Sequence, residues 1–219
     1  FGDSLKSDSG GFFNMGVGSV LESWGYGLEG QERVFEKGEF GGIEFREGNL
    51  LRASSPIDLG AFGKGYAADK AAEILKSVSQ NFLIDAGGDI LAFGGDLGAG
   101  HKSFKIAFEN PLDPKEAIGF VQSDRMALAS SSAQKRKWGD KHHLVDGKNL
   151  QCAEDMLAVF VQGEDLMSAD AYSTLLFVMG FERAREYLQK RPQKFEALIL
   201  QSDFSFYRTE SFEGELFLG

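Results

Sequence analysis

The most informative part of this sequence is a glycine-rich stretch, Ile57-Asp58-Leu59-Gly60-Ala61-Phe62-Gly63-Lys64-Gly65-Tyr66-Ala67-Ala68-Asp69. We predict that it forms a short strand, a tight turn and the first turn of a helix. Glycines let backbone N–H groups approach a ligand, and the N-terminus of a helix attracts anions. With Lys64 as a mobile positive charge, such a turn would suit a diphosphate. The spacing matches neither of the common phosphate-binding glycine motifs, so a plain strand-to-helix turn with a solvated lysine stays open.

The composition excludes several classes of protein. The chain has 219 residues, of which 42% are hydrophobic, and its formal net charge is −10. A nucleic-acid partner is disfavoured, because binding to phosphate backbones needs a basic surface. The single cysteine, Cys152, excludes an internal disulfide. The sequence contains no apolar run of about 18 residues, so we expect no membrane-spanning helix. The first residues also lack the pattern of a signal peptide.

Hydrophobic periodicity predicts both helices and strands, and since the sequence shows no internal repeat, low-complexity tract or linker, we expect one domain. Helices are expected at residues 15–24, about 65–79, 168–180 and 181–189. Strands or hairpins are expected within 31–58, at 82–94 on both sides of Gly87-Gly88, and at 105–108, 156–161, 195–201 and 204–208, with a turn at 110–114. The glycine-rich stretch would open a β–helix–β unit. Its helix carries an apolar stripe, formed by Ala67, Ala71, Ile74, Leu75 and Val78, that would face the core. In the helix at 168–180, Ser168 is a candidate N-cap and Gly180 a candidate terminator.

Asp170 and Thr174 are four residues apart on a predicted helix, so their side chains share one face. A carboxylate and a hydroxyl oxygen, completed by a backbone carbonyl and phosphate oxygens, would suit Mg²⁺. The same residues also fit a simpler role. An aspartate near a helix N-terminus stabilises the helix dipole, and a threonine can pack on its own backbone.

The three histidines are His101, His142 and His143. On an extended segment the adjacent pair would face opposite sides, so at most one of them readily enters a given pocket. A neutral histidine is the usual general base near pH 7. A surface pair beside the basic run Lys135-Arg136-Lys137 remains an alternative. The hydroxyls of residues 130–132 are expected to bind a ligand or water from a loop.

Seven short motifs follow one another across most of the chain. They lie at residues 10–27, 58–69, 87–90, 110–114, 130–132, 143–146 and 169–174. In this order they resemble the motifs of the ApbE-type FAD:protein FMN transferase family. The resemblance implies a single α+β domain over residues 1–219, ApbE-like and similar to the T-fold, with mixed or antiparallel sheets and packed helices.

The resemblance also implies an activity, which is the Mg²⁺-dependent transfer of FMN from FAD to a threonine or serine hydroxyl of an acceptor protein, with release of AMP. The acceptor would be a flavoprotein subunit of a redox complex. Carried over by position, His143 resembles the catalytic base, Asp58, Lys64 and Leu144 resemble contacts to FAD, and Asp170, Thr174 and the backbone carbonyl of Ala61 resemble ligands of Mg²⁺. A periplasmic or membrane-anchored location follows by analogy with the family, with a cytoplasmic one left open.

The sequence departs from the family pattern at Asn14, Ser132 and Gly147, and it starts downstream of an N-terminal family segment that helps to hold FAD. These departures motivate an alternative, namely an FAD-binding protein or an FAD diphosphatase that yields FMN and AMP without modifying a protein. A third reading is a flavin-binding scaffold without catalytic activity.

Overall fold

The structure is a computed structural model that describes residues 1–26, 43–47, 50–53, 56–190 and 193–217. Within these ranges the chain has an α+β fold. Its helices are α1 (Gly2–Asp8), α2 (Gly18–Ser23), α3 (Gly63–Leu75), α4 (Leu166–Met179) and α5 (Phe181–Lys190). Its strands are β1 (Ile43–Arg46), β2 (Leu50–Ala53), β3 (Phe82–Asp85), β4 (Ile90–Phe93), β5 (Phe104–Asn110), β6 (Asp113–Ser123), β7 (Arg125–Ser131), β8 (Lys137–Trp138), β9 (Lys141–His142), β10 (Ala158–Gly163), β11 (Glu196–Leu200), β12 (Phe206–Arg208) and β13 (Glu215–Leu216). Single-turn 3-10 helices lie at Met15–Val17, Leu97–Ala99 and Ala133–Arg136.

The main sheet has the strand order β12-β11-β10-β7-β4-β3, and each neighbouring pair is antiparallel. Both of its faces are covered. On β10, Val159 and Val161 face the helices, while Ala158 and Phe160 face a second sheet of strands β13-β6-β5. Because successive side chains of a strand point to opposite faces, a strand covered on both sides needs a continuous apolar run. This explains why the buried strand predicted from residues 156–161 is found at Ala158–Gly163.

The second sheet contains the long hairpin β5–β6, whose turn is at Pro111-Leu112. The predicted turn at 110–114 is therefore confirmed. Two register shifts, on either side of Glu109, bend the hairpin close to this turn. The bent tip brings Pro111 and Leu112 to the wall of the cavity described below.

Helix α4 is the central helix and packs on β7 and β10. Its side chains Ala169, Leu175 and Phe177 have no solvent exposure. The N-cap is Asp165, whose side chain accepts a hydrogen bond from the Ser168 N–H, so the prediction of Ser168 as the cap was wrong. Gly180, with φ of 75°, ends the helix as predicted, and α5 follows immediately.

The glycine-rich stretch differs from its prediction in two ways. Residues 57–59 form no strand, and the Asp58 N–H bonds to the Met15 carbonyl (2.8 Å) instead of to a neighbouring strand. The predicted β–helix–β unit is therefore absent, and α3 leads instead into the antiparallel hairpin β3–β4. The helix begins at Gly63, two residues early, and ends at Leu75, four residues early.

The buried face of α3 was also predicted wrongly. The residues that pack inward are Gly65, Ala68 and Ala72, whereas Ile74 and Val78 are 71% and 78% exposed. Small side chains face inward because α4 lies very close. A Cβ atom on Gly65 would come within 2.7 Å of Met167 Cα. The close contact between α3 and α4 therefore determines which face of α3 is buried, and the apolar stripe does not.

The remaining differences are smaller. Helix α1 and strands β6, β7, β8, β9 and β13 were not predicted. The β-structure expected within 31–58 is found as the hairpin β1–β2, and the rest of that range lies mostly outside the described residues. Within the part of the chain that the structure describes, no helix combines the length and the apolar character that a membrane span requires.

Candidate functional site

One large cavity, of about 940 Å³, opens between the N-terminal residues, α3, α4 and the ends of the main sheet. This volume lies at the upper end of the range for small-molecule and cofactor sites. Residues from all seven motifs line the cavity. The lining includes each of the predicted site residues, which are Asp58, Ala61, Lys64, His143, Leu144, Asp170 and Thr174.

Lys64 lies in the first turn of α3 and reaches two buried carboxylates. Its Nζ is 3.1 Å from Oδ2 of Asp170 and 3.1 Å from Oδ2 of Asp89. Both aspartates are only 3% exposed. Burial tends to lower the pKa of Lys64, but the two carboxylates outweigh this effect and hold the pKa above its ordinary value. Lys64 therefore stays positively charged inside the cavity.

Asp170 lies on α4 and faces the same ammonium. Burial raises the pKa of its carboxyl to about 7, the charge on Asp89 adds to the rise, and Lys64 opposes it. Two carboxylates and one ammonium leave an excess negative charge when both acids are ionised. This corner of the cavity therefore favours a further cation.

Thr174 follows Asp170 by one helical turn and belongs to a chain of hydroxyl groups. The Oγ of Ser131 on β7 lies 2.8 Å from Ser173 Oγ and 3.4 Å from Thr174 Oγ1. Ser173 in turn donates a hydrogen bond to the Asp170 carbonyl (2.8 Å). Ser131 on β7 thus contacts the Thr174 hydroxyl, and Ser173 on α4 holds Ser131 in turn.

The donor atoms in this corner fit a hard divalent cation, because they are carboxylate and hydroxyl oxygens. Among the described residues, no group of three or more His, Cys, Asp or Glu side chains forms a metal site by itself. A cation at Asp170 would therefore also need hydroxyl, backbone or ligand oxygens. The Thr174 hydroxyl and the backbone of Ala61, which also lines the cavity, are the predicted sources.

Asp58 has a structural role in the wall. Its Oδ1 accepts a hydrogen bond from the Gly60 N–H at 2.7 Å and closes the turn ahead of α3. Leu144 is buried in the main core while lining the cavity. The structure thus places these two predicted FAD contacts at the cavity together with the third, Lys64.

The two adjacent histidines have different surroundings, as their spacing predicts. The buried His142 ring is bonded on both sides, with Nε2 3.0 Å from the Ala153 carbonyl oxygen and Nδ1 accepting from the Leu144 N–H. His143 instead lines the cavity, and its buried Nδ1 has no hydrogen-bond partner among the residues that the structure describes. Burial, followed by the charge of Arg136, lowers the pKa of His143 to about 4. The ring is therefore neutral at pH 7 and can accept a proton.

Sequence reasoning missed two aspartates that position these groups. Asp89 follows Gly87 and Gly88, which both have positive φ, and its Oδ1 accepts from the Ser130 N–H at 3.0 Å. Asp69 on α3 caps α4, since its two oxygens accept from the Leu166 and Met167 N–H groups at 2.9 Å each. Both residues lie within the motifs at 58–69 and 87–90, but the backbone N–H groups that they bind lie 41 or more residues away along the chain, which a single sequence does not reveal.

The sequence as a whole matches a known protein family. The model of the ApbE family matches residues 1–199 of the chain. The chain belongs to the ApbE family. Curated relatives include the FAD:protein FMN transferases of Haemophilus influenzae, 28% identical over 225 residues, and Treponema pallidum, 25% identical over 214 residues. These alignments cover 92% and 84% of this chain, but it spans only 64% and 59% of the two relatives.

A solved structure of the ApbE family shows the same fold. The ApbE protein from Thermotoga maritima is 26% identical and superposes with a TM-score of 0.84. The match covers 96% of this chain and 74% of that one. The expectation of an ApbE-like α+β fold is therefore confirmed, and all strand pairs described here are antiparallel.

The departures from the ApbE motif pattern have local explanations. Asn14 accepts from the Gly16 N–H and caps the turn at Met15–Val17. Ser132 does the same for Ala133–Arg136, through a bond from the Gln134 N–H. Gly147 lies so close to the N-terminal loop that a Cβ atom there would be 2.6 Å from the Gly11 carbonyl oxygen. Asn14 and Ser132 line the cavity, whereas Gly147 lies against the N-terminal loop.

Proposed function

We propose that this chain transfers FMN from FAD to a threonine or serine hydroxyl of an acceptor protein and releases AMP, in a reaction that depends on Mg²⁺. One observation carries the proposal. A neutral histidine with an unpartnered buried nitrogen shares a single cavity with a charged lysine and with a carboxylate corner that carries excess negative charge. The curated relatives named FAD:protein FMN transferase support the same activity.

The histidine supplies the base that this reaction needs. A buried polar atom without a partner is rare and calls for an explanation. Here the neutral ring of His143, which lines the cavity, would accept the proton of the acceptor hydroxyl while the oxygen attacks the phosphorus of the FMN half. Because the ring is already neutral at pH 7, no proton must leave it first.

The charged groups suit the diphosphate of FAD. Lys64 would pair with a phosphate oxygen and stabilise the charge that develops on the leaving AMP. Asp170, Thr174 and the Ala61 carbonyl would hold Mg²⁺, which when bound neutralises diphosphate charge. The hydroxyl chain from Ser131 would fix the Thr174 side chain for this task.

The decisive experiment incubates the chain with FAD, Mg²⁺ and a peptide that carries one candidate acceptor threonine. Mass spectrometry follows the peptide, and chromatography follows the flavins. We expect the peptide to gain the mass of FMN minus water, with release of one AMP. Formation of FMN and AMP with an unmodified peptide would favour the diphosphatase alternative. Without any turnover, the proposed activity would be wrong for this chain.

Two variants assign the roles. Asp170→Asn should abolish metal-dependent turnover. His143→Gln should stop transfer while FAD binding, followed by flavin fluorescence, changes little. Equal losses of transfer and binding in His143→Gln would remove the base role. A matched control is Glu73→Gln on the exposed side of α3, where the carboxylate pairs only with Lys70 in solvent.

A further inference from the structure

The reaction proposed above uses Asp89 only as part of the negative charge of the acidic corner and gives this buried carboxylate no ligand of its own. Asp89 follows the Gly87-Gly88 turn and immediately precedes β4. One oxygen accepts from the backbone N–H of Ser130 on β7, and the other pairs with Lys64 on α3. A carboxylate that ties together three elements at the cavity wall is firmly held.

Lys64 now occupies the oxygens that a cation at Asp170 would need. Its Nζ is 3.3 Å from Oδ1 and 3.1 Å from Oδ2 of Asp170. A divalent cation bound at the same carboxylate would repel the ammonium, since like charges a few ångströms apart in a poorly solvated site interact strongly. The cation and Lys64 therefore compete for Asp170.

We propose that Asp89 is a positioning residue that takes over Lys64 when a divalent cation binds Asp170 and so keeps the ammonium inside the cavity. The inference rests on the cation site of the proposed function. The geometry allows the exchange, because Lys64 already touches Asp89 and its side chain is 30% exposed, which leaves it room to move. Asp89 stays in place through its bond from Ser130.

A competing explanation gives Asp89 no such role. Its negative charge alone would attract any cation in the cavity, whether or not Lys64 were present. A double-mutant cycle separates the two, because contacting residues that act through each other show non-additive effects. The readout is the affinity for Mn²⁺ in the absence of FAD, measured by electron paramagnetic resonance of free Mn²⁺.

The cycle compares the unchanged chain with Lys64→Met, Asp89→Asn and the double variant. Lys64→Met removes the competitor, so we expect it to bind Mn²⁺ about tenfold more tightly, within the range of couplings between contacting residues. Asp89→Asn should weaken binding, because Lys64 is then left on Asp170 alone. In the Lys64→Met background, the same Asp89→Asn change should have a clearly smaller effect.

Asp85→Asn provides a matched control. Asp85 also lines the cavity, and its Oδ1 accepts from the Gly88 N–H, a bond that asparagine can keep. Asp85→Asn therefore changes only the charge of the cavity wall, and its effect on Mn²⁺ affinity should be the same with and without Lys64. An effect of Asp89→Asn that is equally independent of Lys64 would overturn the positioning role while leaving the cation site intact.

Other outcomes are also decisive. If even Lys64→Met binds no Mn²⁺, the cation site itself is wrong and the proposed function loses its metal. Asparagine can still accept from Ser130, so we expect Asp89→Asn to fold, with thermal unfolding as the check. If Asp89→Asn does not fold, the Mn²⁺ affinity of Lys64→Met alone tests the proposal. Mn²⁺ binding by Lys64→Met that is no tighter than that of the unchanged chain would contradict competition by the lysine.

Discussion

Oδ1 of Asp69 on α3 accepts a hydrogen bond from the backbone N–H of Leu166, the first residue of α4, at 2.9 Å. The other oxygen of Asp69 binds the next N–H, that of Met167. Because α3 carries Lys64 and α4 carries Asp170, this cap fixes the two elements whose side chains meet in the cavity. Asp69, the last residue of the glycine-rich stretch, thus helps to position Lys64 and Asp170.

Removal of this cap should cost stability. Asp69→Ala leaves two N–H groups at the start of α4 without their acceptor, and we expect a loss of about 1–2 kcal/mol in the free energy of unfolding. Urea denaturation measures it. Asp69→Asn, which keeps one acceptor oxygen, should lose less. Glu73→Gln, in an exposed pair on the same helix, should change stability by less than about 0.5 kcal/mol. Similar losses for Asp69→Ala and Glu73→Gln would contradict the cap.

Gly65 should tolerate no side chain. A Cβ there would be 2.7 Å from Met167 Cα, so Gly65→Ala must push α3 away from α4 at a cost of about 1–3 kcal/mol. The same shift should separate Lys64 from Asp170. Gly63→Ala is the matched control, because its Cβ would meet only Leu59 Cβ, at 3.6 Å. Alanine favours a helix by roughly 0.5–1 kcal/mol over glycine, so this variant should be neutral or more stable. Thermal unfolding that ranks the two variants the other way would contradict the close contact.

The sequence predicted the site better than it predicted the elements around it. Each motif is a local pattern of residue types, and all the residues chosen from these motifs line one cavity. Their individual roles remain predictions. The segment before α3 was wrongly predicted as a strand because the Asp58 N–H binds Met15, in a distant 3-10 helix, and strand formation depends on a neighbouring strand.

Contacts between distant residues account for the other errors. An apolar stripe predicts the buried face of an isolated helix, but on α3 the small residues Gly65, Ala68 and Ala72 pack inward, since only they allow α4 so close. Asp69 and Leu166 are 97 residues apart, and no local pattern joins them. The N-cap is Asp165 and not Ser168, because α4 begins at Leu166, two residues before the predicted start of the helix.

His143 should make stability depend on pH in the acidic range. Its pKa in the folded chain is about 4, whereas an unfolded histidine titrates near about 6.5. The unfolded chain therefore takes up a proton first, and the contribution of His143 to stability is lost as the pH falls from about 6.5 to 4. In His143→Gln this part of the slope should disappear. Urea denaturation of both chains between pH 4.5 and 7.5 tests it, and parallel curves would show that the ring is not held neutral.

Asp170 should make stability depend on pH with the opposite sign. Its pKa of about 7 in the folded chain lies above the value near about 3.9 of an unfolded aspartate. The folded chain retains the proton that the unfolded chain has lost, so stability decreases as the pH rises from about 4 to 7 and then levels off. Asp170→Asn should remove this decrease and be the more stable chain at pH 8, as measured by urea denaturation.

The groups that face Asp170 define the control for this last prediction. Lys64 stays charged in both chains, so a slope that persists unchanged in the variant would contradict the assignment of the titration to Asp170. Added Mg²⁺ gives an independent readout at pH 8, because a ligand that binds only the folded chain raises its stability. The unchanged chain should gain stability from Mg²⁺ and Asp170→Asn should not, since the excess carboxylate charge that attracts the cation is then gone.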